Sequence, residues 1–352
     1  MKIFLKKRPP LPLWKTILLP IFAIFISFLI SSVLIIIAKT NVFVAWKYII
    51  IGSLGSKFSL LETLVKMTPM CLTGLAITIA FKAKFWNIGA EGQLYIGAIM
   101  AALIGTIPIS NNKFIHLTIL IISSFIAGGI IAALPAFLKL KFKVDDVVTT
   151  LMLNFIIIDI MNALLDTVWK DVASGWPHSP EILSSAKYPL LFKGYRFHIG
   201  FFVAIFSAFV IFFIFNKTKL GYYIKAIGSN IKAAEYSGIN TFKTFLLAAF
   251  ISGGLAGIAG AGEVCGVQFY LVEGISPGYG YYGVAIAMLA NLNPIGVIFS
   301  SFFFSLIFTG SQMMSRYTGI PVYIVDVLQG ITLIAMMIAL LFTKYKLIIQ
   351  KR

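Results

Sequence analysis

Charged residues are scarce in this sequence of 352 residues. Only 12% of them are charged and 59% are apolar, whereas soluble globular domains are about a quarter charged and under half apolar. This composition excludes a soluble enzyme, a disordered chain and a collagen-like fibre. A transmembrane β-barrel is also excluded, because the apolar runs are continuous and do not alternate with polar residues.

Side chains for metal binding and covalent chemistry are equally scarce. The two cysteines, Cys71 and Cys265, lie in apolar surroundings without metal-ligand spacing, so we interpret them as small buried hydrophobic residues. The three histidines fall near predicted loops, and the motifs GxxxxGK[ST], HExxH and GxSxG are absent. We therefore predict no enzymatic activity and no metal site for this chain.

Acidic residues are few beside basic ones. There are 12 Asp and Glu residues and 29 Lys and Arg residues, which gives a net charge of +17. In a soluble protein this excess would indicate a nucleic-acid partner. In a membrane protein it follows from the collection of Lys and Arg in cytoplasmic loops, so we predict contact with membrane lipid and none with nucleic acid.

Long apolar runs are abundant and predict an all-α polytopic membrane protein. A membrane helix needs roughly 20 mostly apolar residues, and we predict about ten helices, with a range of eight to ten, in a single transmembrane domain over residues 1–352. The predicted spans are 14–38, 62–81, 87–107, 115–138, 147–168, 198–215, 244–262, 281–292, 294–311 and 322–343. The eighth is too short to cross the bilayer straight.

Lysine and arginine positions predict the orientation. With the N-terminus inside, 19 of the 29 fall on inside segments, which predicts that both termini are cytoplasmic. The two longest connections are then an extracytoplasmic loop at 169–197 and a cytoplasmic loop at 216–243. Residues 40–60 are partly amphipathic, and we expect them to lie along the interface.

Glycine-rich breaks interrupt both halves of the apolar pattern. One runs from Asn87 to Gln93 and the other from Gly260 to Gly283. Paired breaks of this kind are typical of an inverted repeat with broken helices around a pathway at the membrane midplane. We therefore predict that architecture.

Four acids, Glu91, Asp159, Glu263 and Asp326, are the candidates for a role within the membrane, where a charge is expensive. Glu91 has two open interpretations: a carboxylate that the positive end of a helix dipole stabilises, or a gate residue of the pathway. We expect Asp159 and Asp326 to make buried structural hydrogen bonds. Glu263 lies near the outer side, beside the second glycine-rich break.

The cytoplasmic loop contains a candidate docking element. In Lys232-Ala233-Ala234-x-x-x-Gly238, two alanines form a flat helix surface that a turn follows. Small residues permit the close approach of a partner. The alternative is an ordinary connecting loop that carries positive-inside lysines.

Three stretches, at 68–98, 221–239 and 276–298, carry a family resemblance. They resemble permease subunits of ABC importers in the ribose/branched-chain amino-acid superfamily, and most of all the longer of two paired nucleoside permeases. The cytoplasmic loop is similar to the coupling motif Glu-Ala-Ala-x-x-x-Gly of ABC permeases, with Lys232 in place of the glutamate.

The resemblance implies a multi-pass subunit of a bacterial plasma (inner) membrane without ATPase activity of its own. It would bind no cofactor, because a partner ABC ATPase would use ATP and Mg²⁺. The other implied partners are a second homologous permease in a heterodimer, an extracytoplasmic substrate-binding lipoprotein and the nucleoside substrate. The implied ATPase-coupling residues are Gly228, Ser229, Asn230, Lys232, Ala233, Ala234 and Gly238.

Nucleoside recognition needs aromatic faces and amide-type hydrogen-bond partners. Residues of these types near the two breaks are the predicted pathway residues: Asn87, Glu91, Gln93, Gln268, Tyr279, Tyr282, Asn291 and Asn293. A permease for simple sugars or branched-chain amino acids is an alternative of the same family. An ion-coupled secondary transporter is an alternative from another class, although the scattered acids and the coupling-like loop disfavour it.

Overall fold

A computed structural model of the chain describes residues 2–7, 13–170, 175–321 and 345–350, with isolated positions between 323 and 339. The described part contains two short strands, twelve α-helices and one π-helical turn. In chain order these are β1 (Lys2–Lys7), α1 (Leu13–Ile37), α2 (Val42–Leu54), α3 (Lys57–Lys82), α4 (Ala90–Thr106), α5 (Lys113–Phe142), α6 (Asp146–Asp166), α7 (Gly200–Lys217), α8 (Lys219–Ser229), α9 (Ile231–Tyr236), α10 (Thr241–Glu263), the π-helical turn (Val264–Gln268), α11 (Tyr279–Leu289), α12 (Pro294–Thr318) and β2 (Tyr345–Gln350).

The described part of the chain is helical, as predicted, apart from two short strands in its first and last segments. β1 and β2 pair antiparallel, with Lys2 opposite Gln350 and Lys7 opposite Tyr345. Both strands carry aliphatic residues that favour extended backbone, and pairing satisfies the main-chain groups of two segments too short for a stable helix. The first and last described segments of the chain therefore lie side by side.

The chain divides into two compact units. The first comprises Met1–Ser59 with Leu306–Arg352, and the second comprises Leu60–Ser305. In the first unit, buried Ile35, Ala45 and Ile49 pack with Met314 and Ile320. The candidate functional residues all belong to the second unit.

The described residues contain six helices that are long and apolar enough to cross a membrane, which makes this a multi-pass membrane protein. They are α3, α5, α6, α7, α10 with its π-helical turn, and α12; a bent pair of α1 and α2, at 116°, would make seven. The prediction of ten spans is not met in this part. α4 has 17 residues and α11 has 11, both below spanning length, and most of 322–343 lies outside the described residues.

Helix α10 is central to the second unit because glycines let its backbone approach α4 and α5. A side chain at Gly257 would collide with α5, and one at Gly97 of α4 would collide with Gly257. Small residues of this kind allow close packing of membrane helices. α3 is 89% buried over its most apolar window, whereas α6 is 22% buried and exposes an apolar face.

Candidate functional site

The first predicted break lies between α3 and α4, over residues 83–89. Asn87 and Gln93 are buried and exchange two amide hydrogen bonds: Asn87 Nδ2 donates to Gln93 Oε1 and Gln93 Nε2 donates to Asn87 Oδ1, both over 2.9 Å. Asn87 Nδ2 also donates to Ser252 Oγ of α10 over 3.0 Å. These amides hold the break in place, and α4 therefore begins at Ala90 and not at residue 87 as predicted.

Two polar residues that sequence reasoning missed brace the same break from α6. Asn154 Oδ1 accepts a hydrogen bond from the Gly92 N–H over 2.8 Å, and its Nδ2 donates to the Ile88 carbonyl over 2.9 Å. Asp146 Oδ2 accepts from the Trp86 N–H and pairs with Lys139 Nζ, both over 2.6 Å. A buried amide within an apolar span was the available signal for Asn154.

Glu91 lies at the junction of two helix N-termini. It is 2% exposed in the first turn of α4, and its Oε2 accepts a hydrogen bond from the Gly280 N–H in the first turn of α11 over 2.6 Å. Any side chain at Gly280 would collide with the backbone of Glu91, so the two helix ends touch. This geometry favours the dipole-partner interpretation, with a second helix that the sequence did not indicate.

The remaining predicted pathway residues do not form one group. Tyr279 is fully buried beside the junction, and its carbonyl accepts from Thr73 Oγ1 over 2.9 Å. Gln268 and Tyr282 are partly exposed. Two further residues, Asn291 and Asn293, are exposed in the turn between α11 and α12, where Asn291 adopts a φ of 50° and Asn293 Oδ1 accepts from the Ile295 N–H over 3.0 Å.

The other acids within predicted spans have different positions. Asp159 is exposed on α6, so the prediction of a buried hydrogen bond is wrong there: the residue lies on the face that α6 turns away from the rest of the chain. Asp326 lies outside the described residues. Glu263 is 1% exposed at the end of α10.

The 216–243 loop folds into α8 and α9, two short helices with side-chain caps. Thr218 Oγ1 accepts from the Gly221 N–H over 3.2 Å at the start of α8. Asn230 Oδ1 accepts from the Ala233 N–H over 3.3 Å at the start of α9. Gly238 follows with a φ of 77°, a conformation that favours glycine.

Gly228 attaches this loop to the first break. It is buried in the last turn of α8, and a methyl group there would collide with the carbonyl oxygen of Lys82. Lys82 is the last residue of α3, directly before residues 83–89. The last turn of α8 is therefore in close contact with the end of α3, directly before the break.

The exposed face of α9 differs from the predicted flat alanine surface. Ala234 is 3% exposed and packs inside the chain, whereas Ala233 and Lys232 are exposed. Tyr236 is 94% exposed and Ile231 is 41% exposed. The side chains of consecutive residues point about 100° apart around a helix. Because Ala234 faces the interior, only Ala233 remains on the exposed face.

The connection between α6 and α7 packs on the segment after α10. The Ser179 N–H donates to the Leu271 carbonyl over 2.9 Å, and the Tyr188 N–H donates to the Cys265 carbonyl over 2.8 Å. In the same connection His198 is buried, and its Nδ1 accepts from the Gly200 N–H over 3.1 Å. Burial lowers the pKa of His198 to about 4, so the ring is neutral near pH 7.

A cleft opens where this connection meets the segment after α10. It has a volume of about 480 Å³. It is lined by Trp176, Pro177, His178, Tyr270, Val272 and Glu273. Aromatic side chains and one carboxylate therefore line the same cleft.

Comparison with known proteins gives one family and several relatives. The family model for the branched-chain amino acid transport system/permease component matches residues 59–337. The guanosine ABC transporter permease protein NupP of Bacillus subtilis is 30% identical over 90% of this chain and 92% of its own. The nucleoside ABC transporter permease protein NupB of Lactococcus lactis is 30% identical over 89% of this chain and 88% of its own.

A glucose permease is similar at a lower identity. The glucose ABC transporter permease protein TsgB13 of Haloferax volcanii is 26% identical over 97% of this chain and 92% of its own. Bacillus subtilis also has a second, less similar relative, the permease protein NupQ, and Lactococcus lactis has the permease protein NupC. No solved structure matches the chain.

Proposed function

The chain belongs to the branched-chain amino acid transport permease family, as an ABC transporter permease, and we propose that it is the membrane subunit of an importer that carries nucleosides. Two relatives whose names specify guanosine or nucleosides are 30% identical to it over about nine tenths of its length. A simple sugar is the alternative substrate, because a glucose permease is also similar. Guanosine and glucose share a polyhydroxylated sugar ring, so recognition of hydroxyl groups fits both.

The observation that carries the mechanism is the contact of Gly228 with the end of α3. We infer that a cytoplasmic ATPase docks on the exposed residues of α8 and α9, which include Ser229, Lys232, Ala233 and Tyr236. ATP-driven closure of the ATPase then moves α8, and through Gly228 it displaces Lys82 and the break that follows. Because Asn87, Gln93 and Glu91 tie this break to α10 and α11, the displacement reaches the helices that line the pathway.

The remaining partners follow from the family. Relatives occur as two permeases in one bacterium, which supports a heterodimer with a second permease. An extracytoplasmic binding lipoprotein would deliver substrate to the α6–α7 connection and its aromatic cleft. The pairing of β1 with β2 supports placing both termini on one side, which we assign to the cytoplasm of a bacterial plasma membrane.

An ion-coupled secondary transporter is disfavoured. Ion coupling usually needs a linked series of ionisable groups across the membrane. In the described residues the Glu91 carboxylate accepts from Gly280, the positive charges that act on Glu263 are those of Lys66 and Arg196, and Asp159 faces away from the chain. Membership of an ABC permease family points instead to an external ATPase.

Transport by the assembled complex tests the proposal. The chain is co-expressed with its neighbouring permease, ATPase and binding-protein genes, and the purified complex is reconstituted in vesicles. We expect ATP-dependent uptake of radiolabelled guanosine that exceeds uptake of glucose. Uptake that an ion gradient drives without ATP would contradict the ABC assignment, and a preference for glucose would contradict the nucleoside assignment.

Cysteine labelling tests the orientation. Ser184 lies exposed in the α6–α7 connection and Ser229 lies exposed at the end of α8. We expect Ser184→Cys to react with an impermeant thiol reagent from outside, and Ser229→Cys to react only after permeabilisation. Labelling of both from one side would refute this topology; the native cysteines are fully buried and serve as the unlabelled background.

A further inference from the structure

A cluster of charged residues lies where α3 meets the α6–α7 connection. Arg196 forms a two-pronged ion pair with Glu62: Nη2 lies 2.6 Å from Oε2 and Nε lies 3.2 Å from Oε1. These hydrogen bonds raise the pKa of the Arg196 guanidinium. The guanidinium group of Arg196 is thus already paired with Glu62.

Glu263 enters this cluster from the end of α10 without such a partner. It is 1% exposed, and its Oε2 has no hydrogen-bond partner in the part of the chain that the structure describes. The positive charges that act on it are those of Lys66 and Arg196. A buried carboxylate oxygen without a donor is costly, so this one calls for a physical explanation.

Lys66 of α3, like Glu263, carries a charge without an ion-pair partner in the described part of the chain. Its Nζ lies 5.7 Å from the ring centroid of Tyr279, and it makes no ion pair or hydrogen bond within the described residues. Lys66 and Glu263 therefore attract each other across more than the 4.0 Å that defines an ion pair. Two opposite charges that face each other without contact leave room for a group that bridges them.

The neighbouring glycine supplies the room. Gly262 is buried, yet a Cβ atom built there would meet no other atom within 4 Å. Most other buried glycines of α10, such as Gly253 and Gly257, are in tight contact with neighbouring helices. Gly262 directly precedes Glu263 in α10, so this open space and the unpaired carboxylate oxygen belong to the same helix turn.

We propose that Lys66 and Glu263, which the Arg196–Glu62 ion pair supports, form a site for adjacent hydroxyl groups of the sugar part of the transported substrate. A hydroxyl group donates one hydrogen bond and accepts others, so it can donate to Glu263 and accept from Lys66. Two neighbouring hydroxyls can donate to both oxygens of one carboxylate. A guanine base can also donate two N–H groups to one carboxylate, so the test of the site uses a nucleoside that keeps the base and lacks the diol.

The site lies at the outer end of the predicted pathway. In the same region Leu61 and Val65 of α3 pack with Phe197 of the α6–α7 connection and with Val267. A substrate delivered to that connection would reach Lys66 and Glu263 before the Glu91 junction. This inference rests on the proposed nucleoside function, because the ribose ring supplies the adjacent 2′ and 3′ hydroxyls.

The test compares two probes in the complete reconstituted transporter: guanosine and 2′,3′-dideoxyguanosine, which lacks the diol. Each variant is assayed with the same binding protein, and the ratio of its two uptake rates is divided by the ratio for the wild type. The selectivity of the binding protein cancels in this quotient. We expect Glu263→Gln to reduce guanosine uptake roughly tenfold and to leave dideoxyguanosine uptake nearly unchanged, because the wild-type preference depends on a buried polar group. The control is Asp166→Asn, an exposed acid at the end of α6 outside the cleft, which should change neither rate.

Two further variants protect the test against misfolding. Gly262→Val fills the open space without removing a charge, and Lys66→Met removes the ammonium group. Both should produce the same selective loss in complexes that assemble in normal amount. An unchanged ratio of the two rates in assembled variants would overturn the site.

The wild-type rates separate the two proposals. Uptake of both nucleosides at equal rates would overturn the hydroxyl site while the nucleoside function stands. Uptake of neither would refute the nucleoside function, and the site would fall with it.

Discussion

The Gly280 N–H donates a hydrogen bond to Oε2 of Glu91 over 2.6 Å, across 189 positions of the chain. Hydrogen bonds to an ionised group are shorter and stronger than neutral ones. Glu91 also lies in the first turn of its own helix, so one carboxylate serves the positive ends of α4 and α11. The side chain thereby fixes the position of α11 relative to the α3–α4 break.

Two substitutions of Glu91 should distinguish how much its charge and how much its hydrogen bond contribute to stability. Glu91→Gln keeps an acceptor oxygen and should lower the free energy of unfolding by about 1 kcal/mol. Glu91→Leu leaves the buried Gly280 N–H without an acceptor and should cost about 1–3 kcal/mol. Thermal unfolding of the purified complex measures both, and a Glu91→Leu complex as stable as the wild type would contradict the capping role.

Uptake by the Glu91→Gln complex distinguishes the cap from a gate. If Glu91 acts as a cap, uptake should persist near the wild-type rate in complexes of normal abundance. A large loss of uptake with normal assembly would restore the gate interpretation. Asp166→Asn, which removes an exposed acid outside the cleft, is the control.

The contact of α8 with α3 should be sensitive to one methyl group. Gly228→Ala forces a carbon atom onto the Lys82 carbonyl, and overpacking of this kind costs about 1–3 kcal/mol. We expect ATP hydrolysis to continue while uptake per ATP falls. Thr118→Ala, at an exposed position of α5 outside the proposed docking surface, should leave this ratio unchanged, and a normal ratio in Gly228→Ala would exclude the contact from coupling.

The two faces of α9 should respond differently to substitution. Ala234 is 3% exposed, so Ala234→Trp should overpack the interior and lower the stability or amount of the permease. Tyr236 is 94% exposed, so Tyr236→Ala should preserve stability and reduce ATPase binding. Lys232→Ala should do less, because an exposed ion pair contributes about 0–1 kcal/mol. Co-purification of the ATPase is the measurement; full recruitment by Tyr236→Ala would exclude this face.

Stability should fall in mild acid because of His198. Its pKa is about 4 in the folded chain and about 6.5 when unfolded, so only the unfolded chain gains this proton between these values. Stability is therefore unaffected by this group above about pH 6.5 and decreases as the pH falls towards 4. Protonation of Nδ1 would also remove the acceptor of the Gly200 N–H.

Unfolding temperatures at pH 7.5 and 5.5 measure this effect. The titratable groups that the structure places beside His198 include Tyr188 and Cys265, and neither changes charge in this range. His198→Asn, which keeps an acceptor and cannot titrate, should show a smaller decrease between the two pH values. An equal decrease in wild type and variant would assign the acid sensitivity to other residues.

Much of the architecture was predictable because it depends on the hydropathy and the glycine content of contiguous segments. Apolar runs predicted the membrane helices, and glycine clusters predicted both breaks, which the structure places at residues 83–89 and 269–278. The helix that contains Ala233 and Ala234 and the turn at Gly238 were predicted from residues of the same short segment. The inverted repeat stays a prediction.

The roles of individual polar residues could not be predicted in this way. Asn87 and Gln93 have the side chains of a substrate site, yet each uses its amide on the other. Lys66 and Glu263 lie far apart in the sequence and gave no joint pattern. Helix packing determines which of these polar side chains lie close together. A single hydrogen-bond partner then determines whether an amide has a structural role or is available to bind substrate.

The sequence by itself determined that this chain spans a membrane, where its helices break and which family it resembles, because hydropathy, glycine content and motifs are properties of contiguous residues. Only the tertiary structure decided that Glu91 caps α11, that Ala234 faces inward, and that Gly228 abuts the end of α3. Each of these depends on a contact between segments whose relative position is set by close packing of α3, α4 and α10. Hydrogen bonds and steric contacts act over a few ångströms, so they are fixed only when the helices are in place.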